Sequence, residues 1–198
     1  MPKLSVRIFD FIVAILLGII LFIPSIMIAI FIKVSSKGPI FFLQERVGYK
    51  EKIFKIYKFR TMKVGSSKYG AITLGNDKRI TKIGKFLRKT KLDEIPQLIN
   101  IYKGEMSFVG PRPDTLEYKE YYKKENFKFF DMLPGITGKA SIYLSNEEEL
   151  MEKVDNPKEF YIKEIIPQKV KLNEYHLEHN NIFSNIKVMF ETVIKVIR

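Results

Sequence analysis

The stretch Arg88-Lys89-Thr90-Lys91-Leu92-Asp93-Glu94-Ile95-Pro96-Gln97-Leu98 is followed by one apolar turn or two. Then comes Gly104-Glu105-Met106-Ser107-Phe108-Val109-Gly110-Pro111-Arg112-Pro113-Asp114. Pro96 has no backbone N–H and clashes with a preceding turn, so it fits only the first turn of a helix. The helix that carries Leu98, Ile99 and Tyr102 is therefore expected to start near Leu92 or Asp93 and to stop by Gly104. Asp93 and Glu94 then stand at a helix N-terminus, where free N–H groups and the macrodipole favour the ionised carboxylate. Such an acid can serve as nucleophile, metal ligand or both. Downstream, Pro111 and Pro113 hold Arg112 on an extended segment, and its planar fork suits a pair of phosphate oxygens. Taken singly, Asp93 is accounted for by an N-cap and Arg112 by a surface ion pair. Two acids, a proline, a proline-clamped arginine and the nearby Arg88 and Lys91 describe phosphate chemistry better.

Working outward, 34 Lys and Arg face 22 Asp and Glu among 198 residues, a net charge of +12 that calls for an anionic partner: nucleic acid, membrane surface or phosphorylated substrate. There is no cysteine, which excludes disulfides and thiolate metal sites. Phe11 to Ile32 contains no charge and would span roughly 33 Å as a straight helix, about the hydrocarbon thickness. Lys3 and Arg7 precede it and Lys33 and Lys37 follow, so a single span leaves one cluster on the wrong side of the membrane. Pro24 interrupts the run, with Ser25 available to satisfy freed backbone groups. On the residues alone, a spanning helix with a tolerated proline and a helix bent back to the same face both remain open.

Ile40 to Val47 and Ile53 to Phe59 read as a β-hairpin about Gly48–Lys52. Lys58 and Arg60 on its second strand are candidates for phosphate, a solvated strand face being the plainer option. Gly65 to Asp77 is a polar loop expected to order over substrate. Ile80, Ile83, Leu87 and Lys91 recur at helical spacing, giving a short basic helix suited to anionic headgroups. Leu116 to Phe130 interleaves aromatic and charged residues. The pattern suits an interfacial amphipathic helix, with core packing the default for some rings; binding of single-stranded nucleic acid is disfavoured. Glu147-Glu148-Glu149 is expected to start a solvated helix. His176 and His179 lack a third ligand and are expected to be structural. Residues 182–198 form an amphipathic helix, with Ile186, Met189, Phe190 and Val193 on its apolar face, expected to pack on the domain.

Several of these segments together resemble the bacterial sugar transferases, the small monotopic phosphoglycosyl transferases. They are Lys58-Phe59-Arg60-Thr61-Met62, Leu92-Asp93-Glu94-Ile95-Pro96-Gln97-Leu98, Gly110-Pro111-Arg112-Pro113 and Pro134-Gly135-Ile136-Thr137-Gly138. The likeness runs from the hydrophobic segment to about Ser141. It departs at Ile23, where relatives carry Ser, and again from Lys139 onward. The resemblance implies an α+β, mostly helical fold with a re-entrant membrane helix over residues 1–36, bent at Pro24 and Ser25. A catalytic domain over residues 37–198 would lie on the cytoplasmic face of the bacterial inner membrane. It implies transfer of a phospho-sugar from a UDP-sugar to polyprenol phosphate, with release of UMP. Asp93 would be the nucleophile; Glu94, with Asp93, would hold Mg²⁺; Arg88 and Arg112, with Lys58 and Arg60, would position phosphates. No nucleic-acid partner is expected, and a homodimer is compatible with the chain. The competing reading is a non-catalytic basic scaffold on anionic lipid or nucleic acid, indifferent to isosteric change at Asp93 and Glu94.

Overall fold

The computed structural model describes residues 3–66, 77–126 and 128–197. Most of the polar loop expected over the substrate, residues 67–76, lies outside them. Two N-terminal helices, α1 (Leu4–Ile20) and α2 (Phe22–Ser35), meet at Leu21 with a bend of 61°. The expected break is therefore present but sits upstream of Pro24. A proline removes the bond to the carbonyl four residues back and clashes with it, and for Pro24 that carbonyl is Ile20's, at the end of α1. Pro24 itself rides in the first turn of α2, where its missing N–H costs nothing. Ser25 helps through its backbone N–H, which donates to the Leu21 carbonyl at 2.9 Å. Among the described residues no single helix is long and apolar enough to cross a membrane, whereas this bent pair reaches that length and composition together.

Both arms of the pair pack on the same body. Val6, Asp10 and Ala14, four residues apart, form the buried stripe of α1. Ala14 joins a core with Ile101, Met106, Phe108 and Val109, while Ile28 and Ile32 of α2 join Phe59 and Leu87. Polar contacts pin α1 further: Arg7 donates to the Met106 carbonyl at 2.8 Å and pairs with Asp10 at 3.3 Å, and the Tyr102 hydroxyl donates to the Ala14 carbonyl at 2.6 Å. The opposite faces are apolar and bare, with Ile19, Ile20, Phe22 and Ile23 each about two-thirds exposed.

The hairpin forms as expected. β1 (Phe41–Val47) pairs antiparallel with β2 (Ile53–Phe59), Phe41 opposite Phe59 and Val47 opposite Ile53. Next, α3 (Lys82–Lys89) starts at Thr81, whose hydroxyl accepts from the Gly84 N–H at 3.0 Å. Lys91 takes a left-handed conformation, φ 57°, and turns the chain into a 3₁₀ helix over Leu92–Gln97 that continues as α4 (Leu98–Tyr102). The two acids thus stand in a helical first turn, of 3₁₀ rather than α form.

A second strand pair had no signal in the alternation of residues. β3 (Ser107–Val109) runs parallel to β4 (Gly135–Thr137), each too short to show a period. It joins the Gly110-Pro111-Arg112-Pro113 segment to the Pro134–Gly138 turn backbone to backbone. A Cβ on Gly110 would stand 2.3 Å from the Leu133 oxygen, and one on Gly135 would stand 2.2 Å from the Gly110 nitrogen, so only glycine permits this approach.

The remaining elements are α5 (Lys119–Glu125), α6 (Lys139–Tyr143), α7 (Glu147–Glu152), α8 (Pro157–Phe160), α9 (Ile166–His179) and α10 (Ile182–Ile197). A π turn over Tyr161–Ile165 precedes α9, adjoining Pro167, which has no N–H to donate backward. The rings expected at headgroup depth are largely core: Tyr118, Tyr122, Phe129 and Phe130 are buried together with Ile165, Ile166 and Val170. Burying four large rings in one cluster outweighs presenting them to an interface. The C-terminal helix does pack on the domain, but through Asn185, Val188 and Met189, leaving Phe183, Ile186, Phe190 and Val193 exposed. His176 is buried and His179 stacks on Tyr175, so the two form no metal pair.

Candidate active site

The turn from Lys91 into the 3₁₀ helix presents Glu94 between two cations. Arg112 grips it with both arms of its guanidinium, Nη2 to Oε1 at 2.5 Å and Nη1 to Oε2 at 3.2 Å, and Lys58 Nζ lies 3.1 Å from Oε1. Burial alone would push the Glu94 carboxyl up; Arg112 and Lys58 outweigh it and hold the group well below its usual range. The same pairing raises the Arg112 pKa. Burial lowers that of Lys58, with Glu94 opposing.

Asp93 behaves differently. It is 6% exposed, and its Oδ1 is buried with no hydrogen-bond partner among the described residues. Burial raises its pKa, Lys58 opposes this most strongly, the neighbouring Glu94 charge adds to the rise, and Arg112 and Arg88 pull it down. Adjacent acids are thus driven apart, one fixed as a carboxylate and one desolvated, the pattern of groups tuned for different tasks.

A cleft of about 670 Å³ opens beside them. Glu94 and Arg112 line it; Asp93 does not. Leu17 and Leu21 from the α1–α2 break, with Leu98, Ile142 and Val196, supply an apolar part of the lining. Arg46, Asp114, Tyr161 and Lys169 supply a polar part.

The expected phosphate ligands fall out unequally. Arg112 lines the cleft with its side chain 39% exposed and has N–H groups beyond those spent on Glu94. Arg88 Nε donates to the Thr61 hydroxyl at 3.1 Å and acts on Asp93 through its charge. Lys58 is tied to Glu94 and does not line the cleft. Arg60 is buried and already engaged, its guanidinium donating to the carbonyls of Lys37 at 2.6 Å and Ser36 at 2.8 Å, and it does not line the cleft. Those carbonyls close the end of α2, where a cation satisfies groups the helix leaves unpaired.

Sequence reasoning missed the polar network on the cleft wall. The Tyr122 hydroxyl donates to Asp114 Oδ2 at 3.0 Å, the Tyr161 hydroxyl donates to the same oxygen, and Arg46 Nη1 lies 3.6 Å from Oδ1. Lys169 joins Tyr161 to Glu147, so Glu147 opens α7 as expected but as an ion-paired wall residue, not a solvated one. Asp114 carried a faint signal, since it follows Pro113 directly; Lys169 and Glu147 carried none.

The donor set accommodates a divalent cation in one way. Among the described residues no group of three or more His, Asp or Glu could hold a metal by itself. Yet Asp93 Oδ1 is unpaired and Glu94 Oε2 accepts a single bond. Mg²⁺ typically takes one or two carboxylates plus waters and substrate phosphates, and these two residues fit that demand.

Paired acids among clamped cations, beside a cleft with both charged and apolar lining, belong to the class of sites that handle phosphate groups. The comparison with known families narrows this: the bacterial sugar transferase profile matches residues 1–198, and the chain belongs to that family. It is 38% identical over 173 residues to the UDP-glucose:undecaprenyl-phosphate glucose-1-phosphate transferase of Escherichia coli K12, covering 85% of this chain and 35% of the relative. It is 32% identical over 190 residues to the UDP-N-acetylgalactosamine-undecaprenyl-phosphate N-acetylgalactosaminephosphotransferase of Aeromonas hydrophila, covering 92% of this chain and 41% of the relative. With a putative undecaprenyl-phosphate N-acetylgalactosaminyl 1-phosphate transferase of Bacillus subtilis 168 it shares 41% over 124 residues, covering 62% of this chain and 65% of the relative. The chain thus spans well under half the length of the first two.

Proposed function

We propose that this chain transfers a phospho-sugar from a UDP-sugar to polyprenol phosphate, releasing UMP, through a covalent intermediate on Asp93. The observation that carries the reading is the unlike dyad: Asp93 buried with an unpaired oxygen, next to Glu94 clamped by Arg112 and Lys58. An Asp93 oxygen attacks the β-phosphorus; the bond from that phosphorus to the bridging oxygen breaks, and UMP leaves with the electron pair. An oxygen of polyprenol phosphate then attacks the phosphorus and the Asp93 carboxylate departs, leaving polyprenyl-diphosphate-sugar. Because Asp93 does not itself line the cleft, the free N–H groups of Arg112 serve to draw the diphosphate inward. Asp93 and Glu94 would hold Mg²⁺, which offsets phosphate charge as the leaving group departs.

The helix pair reads as re-entrant. Arms of 17 and 14 residues bent by 61° put the apex only about 12 Å below the line joining their ends, within one leaflet of a core about 30 Å thick. Both arms rest on one folded body, which supports both ends lying on the same face, the cytoplasmic face of a bacterial membrane. The lipid head then reaches the cleft past Leu17 and Leu21 without leaving the bilayer, each exposed methylene otherwise costing about 0.8 kcal/mol. A UMP-release assay with UDP-sugars, polyprenol phosphate and Mg²⁺ tests the reading. Turnover that needs all three components and disappears in Asp93→Asn is expected; undiminished turnover in that variant would overturn it.

A further inference from the structure

The wall that α7 and α9 give the cleft begins after the segments that carry the family's motifs, which end near Ser141. The relatives named above all carry undecaprenyl phosphate in their names and differ in the sugar, glucose in one and N-acetylgalactosamine in two others. The segments named for the common chemistry are those motifs, so groups that read the sugar are sought on the cleft wall outside them.

One pair there has the right chemistry. Lys169 Nζ lies 2.8 Å from the Tyr161 hydroxyl oxygen and 2.8 Å from Glu147 Oε2, both side chains of the ion pair being less than a quarter exposed. Tyr161 is fixed in turn, since its hydroxyl donates to Asp114, which also accepts from Tyr122. An ammonium has three N–H donors, and here they face three acceptors: the Tyr161 hydroxyl and both Glu147 oxygens, Oε2 at 2.8 Å and Oε1 at 3.1 Å. Each Glu147 oxygen keeps a lone pair, so a rigid acceptor, held by the ammonium, lines the cleft. A sugar hydroxyl donates to such an acceptor. Glu147 and Lys169 line the same cleft as Arg112.

We propose that Glu147, held in place by Lys169 and Tyr161, binds a hydroxyl of the hexose in the nucleotide-sugar donor, and that this braced group determines which sugar is accepted. This rests on reading the cleft as a UDP-sugar site, and the test separates the two. The full chain in lipid nanodiscs is assayed for UMP release with UDP-glucose, UDP-galactose, UDP-N-acetylglucosamine and UDP-N-acetylgalactosamine. If the wild type turns over none of them, the function reading falls and this inference with it. Given an active wild type, Lys169→Met and Glu147→Gln are each expected to raise KM for the preferred donor by about 10- to 100-fold, the loss of a charged hydrogen bond. The ratio between best and second-best donor should shrink, with kcat within a few-fold and inhibition by UMP unchanged. An unaltered donor ratio overturns the inference, and so does an equal loss for all donors accompanied by weaker UMP inhibition, which would place Lys169 on the nucleotide. Lys169→Arg keeps the charge and the brace on Tyr161 and covers the case in which the methionine variant does not fold. A changed sugar ranking in it supports the inference; an unchanged ranking overturns it.

Discussion

Pro24→Ala tests whether one residue keeps the N-terminal pair bent. In a continuous helix over residues 4–35 the proline would sit in the interior and cost about 3 kcal/mol relative to alanine. Alanine removes that cost from the straight form and restores an N–H able to pair with the Ile20 carbonyl. The straight-to-bent ratio should therefore rise by up to about 100-fold. A straight helix would measure about 48 Å, against about 40 Å between the ends of the bent pair, and would carry Lys3 across the membrane. Resistance comes from the contacts of Arg7 with Met106 and of Tyr102 with Ala14, so adding Arg7→Ala and Tyr102→Phe should increase the crossed fraction. The chain has no cysteine, so single reporters at Lys3→Cys and Lys37→Cys give a clean labelling assay in sealed inverted vesicles. In an otherwise unaltered chain both should label from the cytoplasmic side. With Pro24→Ala a measurable fraction of the residue-3 reporter should label only from the far side. A residue-3 reporter on the far side in the unaltered chain, or one that never crosses even in the triple variant, would refute the reasoning.

Arg112→Lys replaces a two-armed grip on Glu94 by a point charge and should lower kcat/KM by at least about 100-fold, measured by UMP release. Lys58 is the strongest charge opposing the upward shift of Asp93, so Lys58→Met should move the acid limb of the rate profile to higher pH, read from kcat/KM against pH. His176 is held neutral, burial lowering its pKa from 6.5 to about 4 against a backbone hydrogen bond with Val109. The unfolded chain takes up that proton below about pH 6.5 and the folded chain only near 4. Stability is thus complete above pH 6.5 and falls by about 3 kcal/mol toward pH 4. Denaturant titrations should show that slope flattened in His176→Gln.

What was legible in the sequence were features whose cause is local. Gly104 bounded the dyad's helix because a left-handed turn acts on adjacent residues alone, and the start near Leu92 held although Pro96 sits inside the 3₁₀ helix, not in its first turn. The β-branched and aromatic residues of Ile40 to Val47 and Ile53 to Phe59 pointed to the hairpin, and Pro24 to the break, three residues later than where it falls. Long-range contacts left no such trace. Arg60 reads as a free cation until the fold delivers the carbonyls of Ser36 and Lys37 to it, and Glu147 reads as solvated until α9 brings Lys169 alongside. The β3–β4 pair is three residues a strand, and its marks were glycines whose reason is another backbone. Rings between Leu116 and Phe130 carry equal information for core and interface, and only packing decided between them.

The claim that Asp93 becomes covalently bonded to phosphorus is open to direct observation. The protein is incubated with a turned-over UDP-sugar and Mg²⁺ without polyprenol phosphate, and its intact mass and modified peptide are measured. The account predicts an added phospho-sugar on the peptide that contains Asp93, discharged by polyprenol phosphate and missing in Asp93→Asn. UMP release with no added mass at any time, or an adduct that survives in Asp93→Asn, would contradict it.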